Sequence, residues 1–528
     1  MITHRPLCPE GQAARRLRRG GPDGLCAEGS RPFVLAATIL ASAMAFIDGS
    51  VVNIALPTIQ RDLGAGFAEL QWVVNGYILL LGALILVGGG LGDRLGRRRV
   101  FVAGIALFAL ASLACALAPG IEALIAARLL QGVGAALLVP QSLAIIAAAF
   151  PKAERGRAIG TWAGASAITT ALGPPLGGLL IDALDWRAAF WINLPLSLAA
   201  IWLALRHVPE SRDESASGRL DWAGGLLAAG ACGALTVGLT RLADDGAGGR
   251  LPAFGAIALG LAGLWLFLRT ERRTAAPLMP TGLFAEPAFL GANVMTLFLY
   301  GALGAVLFLL PFDLVGRRGL SAAEVGVTLL PLGLIIGTLS RAAGGLVDRT
   351  GPRPPLVLGS ALVAVAASGL ALGEGGYWTA VFAPILLLAL GMALVVSPLT
   401  TVVMNAAPDG KSGAASGINN AASRLAGLFA IALVGAAANL IFHEGPAAAG
   451  QRFGVLPPPG DALRPAVESA FVSAYSSALW LAALWAALAA LVALVMLRPR
   501  RPAARAGSGA DQASAESGSS VSADSSVA

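Results

Sequence analysis

Fourteen stretches of roughly twenty mainly apolar residues run through the sequence, each long enough to cross the hydrocarbon core of a bilayer. To within a few residues they are 33–56, 71–91, 99–118, 121–149, 158–182, 187–206, 221–241, 251–269, 287–312, 322–345, 355–373, 377–403, 413–441 and 469–497. In lipid every backbone N–H and C=O must be bonded within the chain, so spans of this length are helices. With 56% hydrophobic against 13% charged residues, a soluble fold is excluded. Aromatic residues at 6% and 67 glycines in 528 residues suit close helix packing and argue against a β-barrel with aromatic girdles. The expected fold is an all-α polytopic membrane protein.

Charge placement orients the spans. Assigning Lys and Arg to alternate sides puts 26 on the side that receives both termini and 8 on the other, with Arg128, Arg341 and Arg424 inside or at the edge of spans. The positive-inside rule makes the first side cytoplasmic. The expected location is the cell (inner or plasma) membrane, multi-pass, with both termini cytoplasmic. Cys8, Cys26, Cys115 and Cys232 lack metal-ligand spacing, so no metal or disulfide framework is expected. His4, His207 and His443 fall in polar stretches, which excludes a membrane-embedded histidine relay. Gly410-Lys411-Ser412 imitates the end of a phosphate loop, but Asn405 stands where its first Gly belongs. Energy is therefore expected from a proton gradient, with no cofactor, no enzymatic activity and no nucleic-acid partner.

An internal repeat sets the architecture. Gly89-Gly90-Leu91-Gly92-Asp93-Arg94-Leu95-Gly96-Arg97-Arg98 after span two matches Gly344-Gly345-Leu346-Val347-Asp348-Arg349-Thr350-Gly351-Pro352-Arg353 after span ten, with seven of ten positions identical at a constant offset of 255. Each copy follows the second helix of a six-helix set. The expectation is two six-helix bundles with pseudo-two-fold symmetry plus two inserted helices, the layout of a secondary transporter. The divisions are a cytoplasmic tail 1–32, an N-terminal bundle 33–206, a linker with the two extra helices 207–286, a C-terminal bundle 287–497 and a disordered tail 498–528.

The loop from Gly89 to Arg98 resembles the signature of the major facilitator superfamily, and fourteen helices resemble its EmrB/QacA-type drug:proton antiporters. Asp48 to Pro57 is similar to that family's helix-one motif. Arg128-Leu-Leu-Gln131-Gly132 resembles the Arg-x-x-Gln-Gly motif of helix four, and Gly173-Pro174-Pro175-Leu-Gly177-Gly178 the antiporter motif of helix five. Trp186-Arg187 to Pro195 is similar to the opening of helix six. In helix thirteen Arg424-Leu425-Ala-Gly427 stands where the family usually has Arg-Gln-x-Gly.

Ionisable groups deep in a span are costly and are functional candidates by default. Asp48 and Arg128 each lie about eight residues, roughly 12 Å, from the outer ends of their spans. They can pair if helices one and four are neighbours, as the resemblance implies. Asp48 is read as the proton carrier and Arg128 as the charge that controls it, charge mattering more than fork geometry; a static ion pair is the alternative. Asp93 and Asp348 are read as gate carboxylates that meet arginines and a helix N-terminus, with Gly89, Arg94, Gly96, Arg97, Arg98 and Arg349 around them. Gly173, Pro174, Gly177 and Gly178 are expected to permit close packing and a kink in a gate. Asn53, Asn75, Tyr77, Gln131, Gln141, Asn293, Tyr300, Asn420 and Arg424 are the candidate polar points of a substrate cavity, although a helix–helix hydrogen bond competes for each amide and hydroxyl. Trp72, Trp162, Trp186, Trp191, Trp202, Trp222 and Trp378 read as interfacial anchors.

The sequence thus points to proton-coupled antiport exporting lipophilic or amphipathic compounds, of the multidrug efflux and antibiotic resistance type, by a monomer whose partners are a small-molecule substrate, protons and the lipid bilayer. A periplasmic adaptor stays open. Export of one metabolite or lipid precursor and a non-transporting receptor or scaffold are the competing readings. The charge bias makes one prediction: in a cysteine-free background, a membrane-impermeant maleimide added outside reaches Glu444→Cys and not Lys152→Cys. The reverse labelling overturns the orientation.

Overall fold

In the computed structural model of the chain, the residues described are 28–212, 221–242, 250–274, 277, 279–373, 375–408, 412–445 and 450–497. The tail predictions for 1–27 and 498–528, the assignments of Asp244 and Lys411 and the side chain of Asp348 lie outside them. Fourteen described helices are long and apolar enough to cross a membrane. They are α1 (Arg31–Leu63), α2 (Phe67–Leu95), α3 (Arg97–Ala116), α4 (Ile121–Ala149), α5 (Lys152–Ala183), α6 (Ala188–His207), α7 (Trp222–Arg241), α8 (Leu251–Glu271), α9 (Pro287–Pro311), α10 (Ala322–Thr350), α11 (Arg353–Leu372), α12 (Ala383–Asn405), α13 (Ser412–Glu444) and α14 (Arg464–Met496).

The packing repeats with the sequence. In the first bundle α2 packs on α4, α3 on α4 and α6, and α1 on α4, α5 and α6. The second reproduces each pair eight helices later: α10 on α12, α11 on α12 and α14, and α9 on α12, α13 and α14. The bundles meet along two seams that are themselves symmetry-related, α5 against α10 and α2 against α13. The inserted helices α7 and α8 pair with each other, and α7 lies along the α2–α13 seam only. Leu79, Cys232 and Leu428 bring α2, α7 and α13 into one buried cluster there.

Glycine sets how closely these helices approach, because a helix without a Cβ lets the neighbouring backbone come nearer. A Cβ on Gly88 would stand 2.0 Å from the carbonyl oxygen of Ala136, so α2 and α4 touch main chain to main chain. Across the α5–α10 seam, a Cβ on Gly178 would stand 2.2 Å from Ala322 O and one on Gly326 2.3 Å from Pro174 O. These contacts occupy the half of the seam farther from the arginine-rich loops. Along the other half, Gly156, Gly160 and Gly164 of α5 have no neighbour within 4 Å. The two bundles are therefore closed at one end and splayed along α5–α10 at the arginine-rich end.

Helix ends differ from the sequence limits for local reasons. α1 continues through Pro57 to Leu63 because Gln60 is buried and donates to Phe453 O across the closed end. Asp48 is thus fifteen residues, about 22 Å, from the end of its helix, deeper than its sequence position suggested. Trp186 is buried and donates to Asp62, and Trp162 donates to Ser42, so neither is an interfacial anchor. Trp191, Trp202, Trp222 and Trp378 are exposed, as anchors must be.

The backbone contacts across α5–α10 leave no room for a branched side chain. Gly178→Val and Gly326→Val should each weaken the closed end by about 1–3 kcal/mol of overpacking. The check is the labelling rate of a cysteine placed at Ala323, which should rise in both variants; an unchanged rate would mean that the seam does not hold this end shut.

Candidate functional site

α1, α3, α4 and α6 converge on one carboxylate. Asp48 is fully buried, and its Oδ2 accepts from Arg128 Nη1 at 2.5 Å. Its Oδ1 accepts from Gln131 Nε2 at 2.8 Å and from Asn193 Nδ2 at 3.3 Å. Gln131 and Asn193 both also donate to Ser112 Oγ of α3. Arg128 Nη1 reaches Gln131 Oε1, its Nε donates to Val73 O of α2, and its guanidinium lies 4.4 Å from the centroid of the Tyr77 ring. Tyr77 in turn donates to Ala45 O of α1. The network spans five of the six helices of the first bundle.

A lone charge in an apolar bundle would be prohibitive; a pair with its remaining lone pairs and protons bonded is tolerable, and removing one partner typically costs about 3–5 kcal/mol. The arrangement corrects three expectations. Gln131 is not a cavity wall but the second donor to Asp48, with no exposed surface. Tyr77 is likewise buried under Arg128. The guanidinium is used as a fork, with acceptors in different directions, so charge alone does not describe the role of Arg128. Ser112 escaped the sequence reading, since a hydroxyl in an apolar span carries no pattern of its own, and Asn193 was met there only as part of the helix-six motif, without a role.

The remaining polar candidates divide. Gln141 is buried and donates to Gly88 O, tying α4 to α2 beneath the loop. Asn75 is buried with neither amide atom bonded. Asn293 is buried, donates to Phe289 O and accepts from Asn419, which also donates to Thr296. In this conformation none of these three lines a cavity. Asn53, Tyr300, Asn420 and Arg424 keep exposed surface. A cavity of about 450 Å³ runs along α12, lined by Val396, Ser397, Thr400, Thr401, Met404 and Asn405. These hydroxyls were not singled out in the sequence.

The gate residues also separate. At the arginine-rich end Asp93 Oδ1 accepts from Arg97 Nη2 at 2.7 Å and Nε at 3.0 Å. No contact of Asp93 with a helix of the second bundle occurs among the described residues. Gly96 has φ 110° and faces Glu210, whose Oε1 accepts from Arg98 N. Arg98 and Arg99 both lie within ion-pair distance of Glu210. Arg94 and Arg349 are partly and fully exposed respectively. Gly89 lies 3.7 Å, from a built Cβ, to Pro140. On α5, Gly173 and Gly177 face Ser50 and Val51 of α1, while Pro174 and Gly178 face α10. The carboxylate that does meet a helix N-terminus across the bundles is Asp182, at the closed end. It accepts from Ala322 N at 3.1 Å and Ala323 N at 2.8 Å. As an acid at a helix end, it reads in the sequence like any solvated residue.

Comparison with known proteins follows the same lines. Residues 38–431 match the sequence pattern of the Major Facilitator Superfamily. The chain is similar to the multidrug resistance protein Stp of Mycobacterium tuberculosis, 37% identical over 404 residues, covering 76% of this chain and 74% of that protein. It is 35% identical over 414 residues to the tetracenomycin C resistance and export protein of Streptomyces glaucescens, covering 77% and 76% respectively. Among solved structures, a bacterial homologue of the human lysosomal transporter Spinster superposes with a TM-score of 0.66 at 17% identity, covering 90% of this chain and all of that one. That likeness extends the agreement to the fold. With fourteen apolar helices, a repeated six-helix packing and relatives that export or confer resistance to drugs, the chain is a multi-pass membrane transporter, not an enzyme, and belongs to the major facilitator superfamily.

Proposed function

We propose that the protein is a proton-coupled antiporter that exports lipophilic or amphipathic compounds across the cell membrane, with the arginine-rich end in the cytoplasm. The observation that carries this reading is Asp48, the one acidic side chain lying away from the span ends among the described residues, wholly buried against Arg128, Gln131 and Asn193. A carboxylate so placed has two states with very different partners. Ionised, it satisfies Arg128; protonated, it releases the guanidinium to other acceptors, and the helices that carry the pair lose their strongest tie. Export is supported by the roles of two relatives, multidrug resistance for one and tetracenomycin C resistance and export for the other.

Alternation is assigned to two latches. Asp182 on the N-terminus of α10 holds the outer end shut in this conformation, by charge against the helix dipole and by two backbone donors. Asp93, here turned to Arg97 of its own bundle, is the group available to bind the other bundle when the cytoplasmic end closes. The proton arriving at Asp48 from outside promotes substrate release, and its departure inside restores the substrate-accepting state.

Coupling is tested in proteoliposomes driven by a pH difference. Asp48→Asn should abolish uphill efflux and substrate-induced proton movement while leaving substrate binding measurable; accumulation against a gradient by this variant would move the proton carrier elsewhere. Arg128→Ala should be equally damaging, and Arg128→Lys should fall close to it, since an ammonium cannot keep both the Asp48 and Val73 contacts. For the latches, Asp93→Asn should strongly reduce transport with little change in affinity. Asp182→Ala should cost about 1 kcal/mol of outer closure, as loss of a helix cap does, which cysteine accessibility at Ala323 reads as a severalfold rise. An Asp93→Asn variant that lost affinity in proportion to transport would make Asp93 a binding residue.

A further inference from the structure

Arg424 is a second charge deep in the membrane, and the ion pair of the first bundle does not account for it. It lies twelve residues into α13, about 18 Å from the arginine-rich end and near the middle of the bilayer. It forms no ion pair among the described residues, and its Nε is buried without a hydrogen-bond partner. A guanidinium in this setting is expensive unless it faces a water-filled cavity or awaits an anion.

The packing of α13 fixes where the side chain leaves the helix. Gly427 and Ala430 face α9, against Gly304 and Gly301. Leu425 and Leu428 belong to the cluster shared with α7. α2 approaches between them, since a Cβ on Gly82 would stand 3.2 Å from Arg424 Cβ. Arg424 therefore departs in the sector between α2 and α9, which is the interior between the bundles, with exposed Asn420 one turn nearer the open end of the same face. Asp48, the carboxylate at comparable depth, is already taken by Arg128, Gln131 and Asn193.

We propose that Arg424, with Asn420 one turn away, is the anion-binding subsite of the transport cavity, and that the preferred substrates are amphipaths carrying an anionic group such as a carboxylate, enolate or phenolate on an apolar body. The inference rests on the export reading and narrows it. A net-positive interior rejects lipophilic cations, which lack a carboxylate to bind, and retains anions through charge-assisted hydrogen bonds. Because Arg128 is engaged by Asp48, Gln131 and Val73 O, the anion at Arg424 and the proton at Asp48 occupy separate residues.

The test uses two dyes on one ring system, anionic fluorescein and cationic rhodamine 123, with the full-length protein in phosphatidylcholine vesicles that present no net-anionic headgroup. The wild-type protein should carry fluorescein in preference to rhodamine 123. Arg424→Gln should lower fluorescein transport about tenfold, the scale of one lost charged hydrogen bond, and leave rhodamine 123 unchanged or faster. Arg424→Lys should retain part of the preference, and Arg424→Glu should invert it. A merely structural arginine would depress both dyes together, and that result overturns the proposal, as does a wild-type preference for rhodamine 123 or transport of both dyes indifferent to Arg424→Gln. The export reading fails differently: neither dye moves in the wild-type protein under a pH gradient, and the subsite falls with it.

Discussion

Five of the six helices of the first bundle are joined by one ion pair buried away from solvent. Asp48 and Arg128 are held in an apolar interior by spending nearly every polar side chain nearby on them: Gln131, Asn193 and Ser112 on the carboxylate side, Val73 O and the Tyr77 ring on the guanidinium side. Because the donors and acceptors of the network come from α1, α2, α3, α4 and α6, a change of protonation at Asp48 cannot remain local. A buried polar network of this kind is strong when complete and costly when one member is unmatched. The same chemistry that stabilises the bundle with Asp48 ionised makes its protonated form a different set of contacts.

The two seams between the bundles are equivalent by symmetry but not in use. α2–α13 is clad by α7, whose Gly225 and Gly233 face Val87 and Leu79 of α2. α5–α10 has no such cover, is closed by glycine contacts and Asp182 at one end, and is splayed at the other. Inserting two helices on one seam biases motion toward the other. On the proposed reading, the buttressed α2–α13 seam is the hinge side and α5–α10 the side that opens at the arginine-rich end.

Helix number and the repeat were legible because each rests on a long signal, a twenty-residue hydrophobic run or a ten-residue loop copied at fixed offset. The Asp48–Arg128 pair was legible because two charges inside apolar runs have few places to go. What surrounds them was not: Asn193 and Ser112 look like any amide or hydroxyl in a helix, and only the fold brings them within 3.3 Å of the carboxylate or its donors. Gln131 and Gln141 were placed on cavity walls because polarity in a span suggests a cavity, whereas Gln131 is taken up by Asp48 of α1 and Ser112 of α3, and close α2–α4 packing, made possible by Gly88 and Gly132, buries Gln141 against Gly88 O. The helix-terminus contact foreseen for Asp93 occurs at the opposite end through Asp182. Sequence identifies the kind of latch more readily than the conformation in which each latch is engaged.

Charge gives the remaining step from the proton site to the cargo. With Asp48 paired to Arg128, Arg424 is left without an ion-pair partner among the described residues, and on the proposed reading a substrate anion neutralises it. Protonation of Asp48 would then leave Arg128 as an uncompensated cation. On the proposed coupling, protonation of Asp48 adds one positive charge to the interior whichever acceptor Arg128 turns to, so release of an anion has to come from the rearrangement of the helices that carry the pair and not from electrostatic repulsion. On the proposed reading, coupling runs through the arrangement of Arg128 and not through competition for one carboxylate. Substrate and proton need not share a residue, and an anionic cargo is compatible with antiport.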